Sequence, residues 1–261
     1  MKITLEFCSA ADAADFIQQN LVSRDHSDPI EMEEWYKTLT KMQQGWPEGA
    51  SVVHDILYDL SLNDTQSIFK KDHNQMVTGL FFDVGLICSK IPECWIDPQT
   101  DPYTVDTTNQ EQIIRLGMNS VSWGFSASSI IERGAAITAL AYILQQMGHT
   151  ISLTQYYATT KNNHSFQASI NHILDNQPLN IEMLSFWLAC PDSPHKCWSQ
   201  ILKNTHDLNI PVNEGPTLIP EYGRELCDIF IPGVVRPSEQ WSRNDSLSWI
   251  RKIIQEQKNA L

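Results

Sequence analysis

The chain has 261 residues, 42% hydrophobic and 19% charged, a globular composition that excludes a disordered chain, a collagen-like repeat and a coiled coil. Eighteen basic residues against 31 acidic ones leave a net charge of −13. The excess lies in residues 1–110, with 18 acids and 7 bases, against 13 and 11 in residues 111–261; this excludes a long duplex-binding face and leaves room for a short single-strand site in the second half.

Residues 1–50 read as helical. Ser9 caps a helix over 10–21, with Ala13, Phe16, Ile17 and Leu21 on one face. A second amphipathic helix follows over 31–42, acidic in its first turn. A turn at 45–49 precedes a third over 52–62, striped by Val53, Ile56, Leu57 and Leu60. The period then changes. Residues 76–87 are β-branched and aromatic with interior glycines, which predicts a strand or bent hairpin. Pro92 breaks it, and 97–103 is a loop. This sets a helical region over 1–75, packed on an α/β domain over 76–261.

The stretch 113–160 is the most informative. A strand over 113–122 leads through a small polar loop, 123–129, into a helix over 130–147 that is dense in alanine. Gly148 stops it, and 149–157 alternates as a second strand. Such a strand–helix–strand unit is parallel. A short helix over 165–174 comes next, then a continuous apolar run, 184–190, of the kind that forms a strand buried on both faces. Ser193 and Pro194 open a helix over 193–202. A buried strand over 227–232 stops at Pro232, and residues 244–246 cap a last helix over 247–257. The alternation predicts an α/β fold: a three-layer, mostly parallel sheet with a helical N-terminal region.

The strand at 116–122, its Ser-rich loop and the helix ending at Gly148 and His149 resemble the first β-α-β of von Willebrand factor A-like domains. Those domains carry a metal-ion-dependent adhesion motif, Asp-x-Ser-x-Ser, after the first strand. Here Asn119 stands at the aspartate position, and Val121 and Trp123 at the two serine positions. The resemblance thus implies a degenerate A-like or Rossmann-like domain without the metal. Residues 91–95, 133–137 and 227–232, with a Trp-bearing terminal helix, also resemble an uncharacterised family of bacteriophages and other mobile elements. That resemblance implies a phage or plasmid setting in a bacterial host cell and supplies no activity; the cytoplasm is the compartment expected from the early Glu6 and Asp12 and the lack of a long apolar run.

The chemistry is read on that frame. The C-terminal edge of a parallel sheet is where α/β folds place their ligands. Asn119, Ser120, Ser122, Trp123, Phe125 and Arg133 gather there and form the predicted binding surface. No carboxylate lies between Asn119 and Ser129, so no metal is expected; the serines serve as backbone caps. Arg133 pairs with Glu132 or Asp83, or meets an anion. No nucleotide-binding loop or serine elbow is present, so no catalytic residue and no cofactor is expected. The six cysteines lack zinc-site spacing and read as free buried thiols. No apolar run approaches the roughly 20 residues of a membrane span, and Glu6 and Asp12 come too early for a signal peptide. The expected role is non-catalytic: binding of a protein partner through that strand edge. The alternative is a single-stranded nucleic-acid-binding accessory factor in phage transcription or replication, using Trp123, Arg115, Arg133 and loop aromatics.

Overall fold

A computed structural model describes residues 2–22, 29–68, 73–76, 81–82, 95–98, 113–121, 126–147, 149–161, 164–172, 179–198, 200–201, 217–234 and 240–260. The chain divides into two compact units: Met1–Tyr58 with Gln112–Leu261, and Asp59–Glu111.

The larger unit is an α/β structure built on a mixed, mostly parallel sheet. Its strands are β1 (Lys2–Phe7), β5 (Ile114–Asn119), β6 (Ile151–Lys161), β7 (His164–His172) and β9 (Ile229–Ile231), in the order β1-β7-β6-β5-β9. The β1–β7, β5–β6 and β5–β9 pairs are parallel, and β6–β7 is antiparallel. A two-residue strand, β8 (Thr217–Leu218), pairs with β6 beyond the end of β5. The smaller unit holds β2 (His73–Met76), β3 (Phe81–Phe82) and β4 (Trp95–Pro98), antiparallel in the order β2-β4-β3. Trp95–Pro98 is thus a strand where a break and loop were expected. Most of the strand expected over 76–87 lies outside the described residues.

Among the described residues there are six α-helices: α1 (Ala10–Val22), α2 (Pro29–Gln44), α3 (Pro47–Ile68), α4 (Ala127–Gln146), α5 (Ile181–Ala189) and α6 (Arg243–Ala260). Ser9 caps α1 as its sequence requires, its hydroxyl accepting from Asp12 N at 3.1 Å. Between α2 and α3 only residues 45 and 46 break the helix. Gly45 adopts φ +91°, and a Cβ there would lie 2.6 Å from that of Glu182. The neighbouring Trp46 N–H donates to Glu182 O at 2.9 Å, which ties the junction to the start of α5.

Register sorts the sheet's side chains into two faces. Ile114, Leu116 and Met118 lie beside Ile151, Leu153 and Gln155, which in turn face His172 and Ile170. Ile3, Leu5 and Phe7 extend that face at β1. It packs on helices: Phe7, Phe166, Ala168 and Ile170 share one core with Ala13 and Ile17 of α1, Trp35 and Met42 of α2, and Phe186 and Trp187 of α5. The second face carries Thr4, Glu6, Arg115, Ser152 and Asn171, all exposed. Toward its middle this second face is covered as well: Tyr156 and Ala158 are buried, and Tyr156 meets the Tyr222 ring edge-on. The expected mostly parallel α/β sheet is met.

Two elements differ in type from the sequence reading. Of residues 165–174, expected as a helix, 165–172 belong to β7, where Phe166, Ala168 and Ile170 alternate inward, and 173–174 lie outside the described residues. Residues 184–190, expected as a buried strand, lie in α5 and its cap; Asn180 caps this helix by accepting from Met183 N at 3.0 Å. Leu184 to Ala189 are all buried because sheet and helices enclose α5, and enclosure erases its periodicity. The N-terminal region, expected to be helical throughout, also supplies β1. The helix expected over 193–202 begins as a short π-helix, Ser193–Cys197.

Helix α4 is the structural spine of this layer. It is long and apolar enough to cross a bilayer by length and composition, yet 72% of that stretch is buried within the fold. Gly134 sits where α4 meets α5, and a Cβ there would overlap the carbonyl of Leu188. Helix α6 lies along α4: Ser246 Oγ donates to Glu132 O at 3.1 Å, and Arg243 pairs with the Glu132 carboxylate at 3.4 Å.

Candidate functional site

The predicted surface begins at the last residue of β5. Asn119 is completely buried. Its Nδ2 donates to Ile219 O at 3.0 Å and Tyr222 O at 3.1 Å, and its Oδ1 accepts from Val121 N at 2.9 Å. The carboxamide stitches the 219–222 segment to the strand end. Ser120 is also buried, its hydroxyl accepting from Gln155 Nε2. The same Nε2 donates to Trp187 O at 2.7 Å, as does Ser193 Oγ at 2.8 Å, so a polar seam joins β6 to α5.

Arg133 is 1% exposed and lies among the largest fully buried side chains. Its Nη2 donates to Asn119 O at 2.9 Å and Pro232 O at 2.7 Å, closing the ends of β5 and β9 together. The expectation that Arg133 meets Glu132 is corrected: Glu132 pairs with Arg243. Asp83 lies outside the described residues, as do Ser122, Trp123 and Phe125. Hence three of the six predicted binding residues, Asn119, Ser120 and Arg133, come together at the strand edge, but inside it.

The serine loop does what its composition suggests. Ser126 caps α4, accepting from Ser129 N at 3.4 Å, and its hydroxyl meets Ser128 Oγ at 3.0 Å. Ser129 Oγ accepts from Trp241 N at 2.9 Å, which brings the approach to α6 over the start of α4. Arg115, the other base of the nucleic-acid reading, forms a bidentate pair with Asp228, Nη2–Oδ1 2.8 Å and Nε–Oδ2 3.3 Å. Its own N–H donates to the same carboxylate at 2.8 Å. These bonds hold the Asp228 carboxyl below the usual carboxylate range.

What the strand edge offers outward is an open groove of about 470 Å³. Pro220, Pro232 and Val234 form its apolar part, Trp241 lies along it, and Glu221 and Asp245 are its acids. Trp241 is held edge-on to Trp249, ring centroids 5.8 Å apart. The Asp245 carboxylate accepts from Ser242 Oγ at 2.6 Å and Ser242 N at 2.8 Å, and these bonds hold its carboxyl below the usual range. In return Asp245 N donates to Ser242 Oγ at 3.4 Å, a reciprocal cap at the start of α6. Glu221 pairs with Arg224, whose guanidinium lies 5.3 Å from the Phe230 ring centroid. Sequence reading missed this groove. Its residues come from 220–221, 232–234 and 240–245, and only the fold makes them neighbours.

Among the described residues no cluster of three or more His, Cys, Asp or Glu side chains is placed to hold a metal ion. Cys8, Cys190, Cys197 and Cys227 are unpaired thiols, and burial pushes the last three above the ordinary thiol pKa. These three are therefore protonated at neutral pH; Cys8, expected to be buried with the rest, is exposed. Cys88 and Cys94 lie outside the described residues.

Fold and site together define the class: an α/β protein whose parallel strand ends are sealed by a buried Asn–Arg pair and flanked by an acidic, Trp-bearing groove. The chain belongs to the domain family of unknown function DUF7192, whose profile matches residues 2–244. No curated protein and no solved structure matches the chain.

Proposed function

We propose that this is a non-catalytic interaction protein that binds a protein partner in the groove at the C-terminal ends of β5 and β9. The partner segment is basic, and it lays a side chain against Trp241. The observation that carries the reading is the groove's composition. A tryptophan, two prolines and a valine give apolar contact, and Glu221 and Asp245 favour cationic side chains over phosphates. The same acids, and the engagement of Arg115 and Arg133 within the fold, disfavour the single-stranded nucleic-acid alternative. In this reading β5, α4, β6 and β9 are a degenerate von Willebrand A-like, Rossmann-like core, with Asn119 in the place of the metal-binding aspartate. The setting is a bacteriophage or mobile element in the bacterial cytoplasm.

The test places a photo-crosslinking amino acid at the exposed position 240 and irradiates cells, with and without nuclease. Nuclease-resistant protein adducts that fall at least about tenfold in Trp241→Ala, with the thermal midpoint retained, are expected. Adducts that vanish with nuclease, or persist unchanged in Trp241→Ala, overturn the reading.

A further inference from the structure

Among the described strands the N-terminal one, β1, stands at the end of the sheet. Among the described strands β1 pairs only with β7. A strand with one neighbour turns half its backbone N–H and C=O groups outward, a ready template for another strand. Folds blunt such edges with a proline, a bulge or repelling charges. Lys2–Phe7 contains no proline, and its six residues keep an unbroken register with β7. Its two charges have opposite sign: Lys2 and Glu6 stand two residues to either side of Thr4. On the helical face Ile3 and Leu5 are only half-buried, whereas Ala168 and Ile170 on the next strand are completely buried. Among the described residues the edge thus lacks the usual deterrents, and its own Ile3 and Leu5 leave apolar surface unfinished.

We propose that β1 is a self-pairing edge, on which a second copy of this chain docks antiparallel about a two-fold axis through Thr4. That axis stands perpendicular to the sheet, so both helical layers remain on one side of a continuous, doubled sheet. The register follows from face and charge. A slip of one residue sets Ile3 and Leu5 opposite the polar face of the second copy. Pairing centred on Leu5 keeps the faces but leaves Glu6 opposite Thr4. Pairing centred on Thr4 sets Lys2 of each copy opposite Glu6 of the other, twice, and Ile3 opposite Leu5, twice. Opposite charges placed directly across antiparallel strands stabilise the pair, and like charges destabilise it. The sequence of β1 is therefore complementary to itself when reversed, which selects a second copy over an unrelated strand.

Sedimentation of the full chain over a range of concentrations tests this. A reversible dimer is expected. Lys2→Glu and Glu6→Lys each replace two opposite-charge pairs with two like-charge pairs and weaken the dimer by about tenfold. The double variant restores the pairs in reverse and recovers most of the loss, an outcome that damage to the fold does not produce. Independently, Thr4→Cys in a Cys8→Ser background forms a disulfide-linked dimer on mild oxidation, because the two copies of position 4 face each other across the axis. Circular dichroism of each variant confirms folding; Thr4 and Glu6 are exposed in the monomer. A chain that stays monomeric at its highest soluble concentration overturns the proposal. So does a dimer that both single reversals leave unchanged, or one that the double variant does not recover.

Discussion

Asn119 shows how one atom separates a ligand site from a structural clamp. An adhesion-motif aspartate presents two acceptor oxygens, whereas the carboxamide has one oxygen and two N–H donors. Here both donors serve backbone carbonyls, of Ile219 and Tyr222. Asn119→Asp sets carboxylate oxygens against those carbonyls in a buried place, and should lower stability by about 3 kcal/mol or more. Scanning calorimetry checks this, and millimolar magnesium should raise the midpoint of neither protein. A magnesium-dependent rise in the variant would show that the edge still holds a metal. His172 is a second buried polar group. It lies opposite Leu153 on the helical face, and burial pushes its pKa down to about 4 from an ordinary value of 6.5. The folded chain keeps this imidazole neutral, while the unfolded chain protonates it below pH ~6.5. The contribution is thus complete above that pH and is lost as pH falls through the window down to about 4. At pH ~4.5 the loss is about 2.5 kcal/mol. Urea unfolding at pH ~7 and ~4.5 should show a shallower decline for His172→Leu than for the parent; equal declines would refute the assignment.

At the scale of elements, Gly134 decides how closely two helices approach. An alanine at a helix interior ordinarily gains about 1 kcal/mol over glycine. Here the added Cβ would overlap the Leu188 carbonyl and crowd Ala189. Both are backbone atoms of α5, which is buried throughout its second half, so relief requires α4 and α5 to separate. Gly134→Ala should therefore destabilise by about 3 kcal/mol, the overpacking cost exceeding the propensity gain. A denaturant midpoint equal to or above the parent's would show that the crossing is looser than described. The same pair of helices explains why α5 escaped the sequence reading. A short helix whose last six residues are all buried and a buried strand both read as a continuous apolar run. For β7 the opposite error arose: Phe166, Ala168 and Ile170 alternate, but the polar residues between them dilute the signal. The β6–β7 hairpin becomes evident only when Leu153 through Lys161 find their partners.

At the scale of the whole molecule, the larger unit gathers segments far apart in sequence. The first strand, Lys2–Phe7, reaches the sheet through β7, which lies some 160 residues further on in the register Lys2 to Ser165. A core shared with helices lies on one side of the sheet; the other side has a polar margin, where Arg115, Glu6 and Asn171 are exposed, around the buried Asn119, Tyr156 and Ala158. Both outward features follow from this plan. The groove forms where the parallel strand ends meet the start of α6, and β1 has one neighbour, β7, among the described strands.

By itself the sequence determined the elements whose signal is local. The cap at Ser9, the buried stripe of α1 and α3, the β5–α4–β6 unit with its parallel pairing, β9 and the last helix all follow from periodicity, capping chemistry and Pro or Gly stops. It also placed Asn119, Ser120 and Arg133 at one strand edge. Tertiary structure alone decided that these three face inward. Burial depends on what covers a residue, and the cover comes from Pro232 and the 219–222 segment, about a hundred residues away. For the same reason it alone decided the types of β7 and α5 and the groove around Trp241. Each is set by contacts between distant segments, and the local pattern of a segment carries no record of its eventual neighbours.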